Sequence, residues 1–143
     1  MVVRLRVRIR SSSGELITSA LANSGYEAEE PEVVLPVSVA ERLGLYPSLP
    51  GGTEVEEYVG VGGSIVRAFR TRGAVELTVL ADDRMGGPVR ATAVITPGED
   101  EVILSDKALD ALGVVLLRPG AGIWRFSDDP PGIERASERR EHW

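Results

Sequence analysis

The chain has 143 residues, a formal net charge of −6, 43% hydrophobic residues and no cysteine. That length suits one domain with a core large enough to need neither metals nor disulfides, and the lack of cysteine excludes a disulfide framework and a zinc–thiolate site. The negative balance gives no general reason to expect nucleic acid as a partner, although the arginines near the start can form a local basic patch.

The opening VVRLRVRIR interrupts its aliphatic residues with arginine, whereas a secretion signal needs an unbroken apolar run. No stretch approaches the ~20 apolar residues that span a bilayer. A soluble, cytoplasmic protein is the expectation. Lys107 is the single lysine, Asn23 the single asparagine, and glutamine is absent. This bias fits a heat-adapted protein, and a GC-rich genome would produce much of the same bias.

In chain order, Met1 to Arg10 alternates strictly, with Val3, Leu5, Val7 and Ile9 on one face and Arg4, Arg6, Arg8 and Arg10 on the other, the signature of a half-buried strand. A Ser-Ser-Ser-Gly turn leads to a second strand over Glu15 to Ala22, which stops at Asn23-Ser24-Gly25. Val33 to Leu35 is a short apolar run. Pro36 then precedes VSVAERLGL, which predicts a short helix over 37–43 stopped by Gly44. Thr53 to Val61, Gly62-Gly63 and Ser64 to Arg70 read as a hairpin. Gly73 to Ala81 and Val89 to Thr96 are two further strands, joined by a polar, glycine-rich loop over 82–88.

Glu101 to Leu104 is a brief strand. Ser105 or Asp106 can cap a following helix, KALDAL, with Leu109 and Leu112 inward and Gly113 as its stop. Val114 to Leu117 and Gly122 to Phe126 close the pattern. Residues 127–143 are charged, with almost no apolar content, and predict a mobile tail. The domain is therefore expected over 1–126. Eight or nine strands joined by glycine turns, with one or two short helices, predict an all-β barrel.

Three separated stretches carry a resemblance. ALANSGY follows the second strand, VGVGGSIVRAF forms the hairpin, and VILSDKALDALGV forms the late strand and helix. In that order they resemble a retropepsin-like aspartic protease, the single-lobed kind represented by retroviral proteases, across roughly residues 15–117. The resemblance implies a closed or half-open acid-protease barrel that works as a homodimer. It also implies a cleft for an extended peptide beneath a mobile flap, here Tyr58, Gly60, Val61, Gly62 and Gly63, and no cofactor or metal.

The departures bear on chemistry. The family's catalytic aspartate falls on Asn23, while Ser24 and Gly25 keep its second and third motif positions. The glycine of the third motif is replaced by Ser105, followed by Asp106 and Lys107. The link after Gly25 is longer than usual and acidic, with Glu27, Glu29, Glu30 and Glu32. The family's reaction uses two facing carboxylates that share a proton. An amide has no proton to exchange, and losing a general base typically removes ~10²–10⁴ in rate.

The expectation is a non-catalytic peptide- or partner-binding homodimer. Two alternatives stand beside it: an active peptidase that uses a displaced carboxylate, Glu27 or Glu29, and a purely structural dimerisation domain. The blander reading of Asn23 is an asparagine in a tight turn, and that of the glutamate run is a solvated surface. Ser24 as a nucleophile would need an adjacent base, and the only histidine, His142, falls in the tail. Tyr26 and Tyr58 are candidates for lining a cleft.

Overall fold

The computed structural model describes residues 2–143 and, at Val61, the backbone alone. Met1 and the Val61 side chain, named above with the first strand and the hairpin, lie outside the described residues. The elements in order are β1 (Arg4–Arg10), β2 (Glu15–Ala22), β3 (Glu32–Leu35), α1 (Val37–Arg42), β4 (Glu54–Val59), β5 (Ile65–Leu80), β6 (Met85–Ile95), β7 (Val102–Leu104), α2 (Asp106–Leu112), β8 (Val114–Arg118), β9 (Ile123–Phe126) and β10 (Arg135–Ala136).

The sheet runs β1-β2-β7-β3-β6-β5-β4, and an additional β1–β5 pairing closes six of these strands into a barrel. β4 remains outside the closure and pairs only with β5. The alternation read in β1 holds: Leu5, Val7 and Ile9 are fully buried, and Val3 is nearly so. They share one core with Leu35, Leu77, Ile95 and Leu104. Burying such side chains contributes ~1.5–3 kcal/mol each, and the barrel core is built from them.

Several sequence expectations change in detail. The two strands expected at 64–70 and 73–81 are one strand, β5, of 16 residues. Its register against β6 shifts between Thr71 and Val75, and Gly73 sits there at a φ of 63°. The glycine marks a bulge that bends the strand rather than an end. β6 likewise starts at Met85, inside the expected loop. Gly86 is needed there because a Cβ would stand 2.4 Å from the Phe126 ring. α1 ends at Arg42, two residues before Gly44, and α2 at Leu112, one residue before Gly113. Of the two candidate caps of α2, Ser105 accepts the Ala108 N–H at 3.2 Å.

The tail expected to be mobile is packed instead. β10 pairs with β9 in a separate three-stranded sheet, β10-β9-β8. Beyond it, the Glu138 N–H donates to the Arg4 carbonyl and the Trp143 N–H to the Asp100 carbonyl, each at 2.8 Å. The Trp143 indole donates to Thr18 Oγ1 at 2.9 Å, and the Arg42 guanidinium lies 5.1 Å from the ring centre. The charged composition hid this packing, because several of these charges pair with protein groups rather than with water. Arg140 bonds Asp100 at 2.9 Å, and Arg135 bonds the buried carboxylate of Asp129 at 2.8 Å.

Candidate functional site

Asn23 follows β2 directly, on an exposed turn. Its backbone N–H donates to the Leu104 carbonyl at 3.2 Å, which ties the turn to the end of β7. Its side-chain Oδ1 accepts the Gly25 N–H at 3.0 Å, and its carbonyl accepts the Tyr26 N–H at 3.0 Å. An Asx turn of this kind is a role that asparagine fills readily. A Cβ on Gly25 would stand 3.3 Å from Asn23 Oδ1, so the third residue of the turn has little room for a side chain.

The β7–α2 corner is stitched to the same loop. The Ser105 N–H donates to the Glu32 carbonyl at 3.1 Å, and the Asp106 N–H to the Tyr26 carbonyl at 2.9 Å. Ser105 Oγ accepts the Glu32 N–H at 3.0 Å, and Asp106 Oδ1 accepts the Ala28 N–H at 3.1 Å. Ser105 therefore serves two elements, which explains a hydroxyl here but not the loss of the family's glycine.

The acidic link divides in two. Glu27 and Glu29 are exposed. Glu30 and Glu32 turn inward to one guanidinium, that of Arg70 on β5. Thr92 donates to Glu30 at 3.0 Å, and the Tyr26 hydroxyl donates to Glu32 at 2.7 Å. Burial, then the bond to the Glu32 carboxylate and its charge, push the Tyr26 phenol far above its ordinary value. The bond to Glu32 likewise raises Arg70. Both Glu32 oxygens are thus engaged by donors. Sequence reading missed this cluster because it took the glutamates as one solvated run. Glu32 opens the strand Glu32–Leu35, in which Glu32, Val33 and Leu35 are buried and Val34 is half-buried, whereas Glu27 and Glu29 stay exposed in the link.

The hairpin β4–β5 pairs Tyr58 with Val66 and Val59 with Ile65. Every residue of β4 is exposed, and Val59 and Ile65 are 72% and 68% exposed at the tip. Between them runs a single 3-10 turn, Val61–Gly63, with Gly62 and Gly63 both at positive φ. Beneath the hairpin lies an open groove of about 310 Å³. Its lining joins Tyr26 and the β3 residues Glu32 and Val34 to Glu56 and Tyr58 of β4 and to Val94, Thr96 and Glu99. The structure therefore brings together Tyr26 and Tyr58, the two tyrosines singled out in the sequence.

Other candidates stay apart from the groove. Glu27 and Glu29 do not line it; the carboxylates that do are Glu32, Glu56 and Glu99. His142 Nδ1 lies 3.2 Å from Asp100 Oδ2 in the tail, and among the described residues no hydrogen bond links it to Ser24. Among the described residues no three His, Asp or Glu side chains gather as a metal site. A larger concavity, about 500 Å³, is lined by Arg6, Trp124 and the β10 segment but by neither tyrosine. No helix among the described residues is long and apolar enough to cross a membrane.

No protein-family model and no curated protein matches the chain. Among solved structures it is similar to the retroviral protease-like domain of Ddi1 from Leishmania major, with a TM-score of 0.53 and 14% identity over 97% of each chain. At that identity the likeness speaks for the fold: this chain has a retropepsin-like, mostly β barrel with two short helices.

Proposed function

We propose that the chain is a non-catalytic aspartic-protease-like domain that holds an extended peptide or partner segment in the groove beneath the β4–β5 hairpin. The observation that carries this reading is an amide, Asn23, at the position matching the family's catalytic aspartate, in an Asx turn whose next residue, Tyr26, lines an open groove that Asn23, Ser24 and Gly25 do not themselves line. The hairpin serves as the flap. An edge strand with unpaired backbone groups on its outer side can add an extended segment through main-chain hydrogen bonds. Tyr26 and Tyr58 supply apolar walls for its side chains.

One barrel carries half of a two-sided cleft, so the working unit is a homodimer about an axis near Asn23. At that axis two amides can donate and accept to each other without sharing a proton. Glu32 is a poor substitute base, because Arg70 and the Tyr26 hydroxyl already occupy its oxygens. Glu27 and Glu29 face solvent away from the groove.

Incubation with a library of unfolded peptides from pH 3 to 7, followed by capture and mass spectrometry, tests the reading. Bound peptides should be recovered intact, and Tyr58→Ala should lose most of them while staying dimeric in sedimentation. Cleaved peptides sensitive to pepstatin-like inhibitors would instead establish a peptidase. A dimer that captures nothing would leave the structural dimerisation role.

A further inference from the structure

A second concavity, of about 390 Å³, lies where the end of β1, the loop before β4 and the β5 bulge meet. It shares no lining residue with the groove under the hairpin. Three guanidiniums border it, from Arg10 on β1, Arg72 on the bulge and Arg90 on β6, against one carboxylate, Glu76. The strand register puts Arg10 opposite Glu76 and Glu76 opposite Arg90, so the two arginines flank the carboxylate across three adjacent strands.

The bulge builds this arrangement. Gly73 turns the backbone so that its carbonyl accepts from Arg90 Nη1 at 2.9 Å, which anchors one corner of that guanidinium, while Nη2 lies 3.9 Å from the Glu76 carboxylate. Arg10 is steadied by Glu15 at 3.0 Å. Arg72 is 82% exposed, with Glu30 3.6 Å from its Nε. Ser12 adds a hydroxyl at the rim, and Leu45, Pro50 and Ala74 give the remaining wall an apolar character.

We propose that this concavity binds a small phosphate-bearing anion, a phosphomonoester of nucleoside-monophosphate size. The phosphate meets Arg10, Arg72 and Arg90, and the organic portion lies against Leu45, Pro50 and Ala74. Guanidinium forks match phosphate oxygens in pairs, and several converging cations favour a dianion over a single carboxylate. The volume falls in the range of small-molecule sites, ~300–1,000 Å³. The arginine alternation of the N-terminal strand, which the peptide groove leaves unused, gains a role through Arg10.

Titration calorimetry at constant ionic strength, first with inorganic phosphate and then with adenosine monophosphate, tests the site on the full chain. Both probes should bind, the nucleotide at least tenfold more tightly. Arg72→Ala and Arg90→Ala should each weaken both probes at least tenfold while peptide capture by the hairpin groove is unchanged. Arg72 is exposed enough that its variant should fold as the parent does, and circular dichroism checks this. Absence of binding by both probes, or unchanged affinity in Arg72→Ala, overturns the site. Equal affinity for phosphate and nucleotide overturns the apolar wall. Because peptide capture is read separately, failure here is distinguishable from failure of the groove.

Discussion

At Asn23 a single atom separates two chemistries. An aspartate there would keep the turn, since its carboxylate can accept the Gly25 N–H as the amide oxygen does. At the axis of the proposed dimer, however, two carboxylates repel unless one holds a proton. Asn23→Asp is therefore expected to weaken the dimer near pH 7, with the gap closing as pH falls toward the ordinary carboxylate range, ~4. Sedimentation equilibrium of both forms at pH 7 and pH 3.5 measures it. The same variant should gain weak acid-pH cleavage only if the groove keeps the geometry of an active cleft.

Asp129 makes a second residue-scale case. It is buried, accepts the Phe126 N–H at 2.8 Å and pairs with Arg135 and Arg84. The bond to Arg135 first, then the Phe126 N–H and the nearby arginine charges, hold it well below the usual carboxylate range against the opposing effect of burial. Above ~4, the unfolded value, the group is ionised in both states and its stabilisation is complete. Below that the unfolded chain takes up a proton the folded chain refuses, and stability falls with pH. Asp129→Asn should be less stable at pH 7 and show a shallower decline between pH 4 and pH 2. Urea melts across that range give the difference. Asp83, Asp100 and Asp128 shift in the same direction. They are more exposed, so salt screens them and the comparison with the parent isolates Asp129.

At the scale of elements, the β7–α2 corner decides where the Asn-Ser-Gly turn sits. Ser105 caps α2 through the Ala108 N–H and also holds the Glu32 N–H that starts β3. Its side chain is fully buried, so truncation strands two donors at once. Ser105→Ala should cost about 1–3 kcal/mol, from a lost cap and an unsatisfied buried N–H. Chemical denaturation reads this. The loss should be accompanied by weaker peptide capture, since the loop carrying Tyr26 and Glu32 hangs on the same corner. The hairpin is built in the opposite manner. β4 is exposed throughout and held only by its ladder to β5, so its backbone amides should exchange with solvent far faster than those of β1.

For the whole molecule, the C-terminal segment acts as a strap. It joins the β8–β9–β10 sheet to Arg4, Ser19, Thr18 and Asp100 on the barrel. Serine and glutamate exchange bonds here: Glu141 accepts the Ser19 N–H at 2.5 Å while Ser19 Oγ accepts the Glu141 N–H at 3.0 Å. Deleting residues 137–143 removes the Trp143 packing and several part-buried hydrogen bonds, at ~0.5–1.5 kcal/mol for each bond. The truncated chain should melt well below the parent by differential scanning calorimetry. An unchanged melting temperature would return these residues to the mobile tail read from their composition.

Periodicity and turn residues alone determined the barrel's wall. The period of two in Met1 to Arg10, the glycine stops at Gly44 and Gly113 and the glycine-tipped hairpin are local features, since each follows from backbone geometry and burial within a few residues. The motif order sufficed for the fold class. What tertiary structure alone decided are the pairings between distant residues. Arg70 meets Glu30 and Glu32 across some 40 positions, and the strap meets the barrel across more than 100. A charged residue reads the same in sequence whether it faces water or a buried partner. Only the closed barrel, which carries opposite charges to the same place, separates the solvated Glu27 from the paired Glu32, and the supposed tail from the strap.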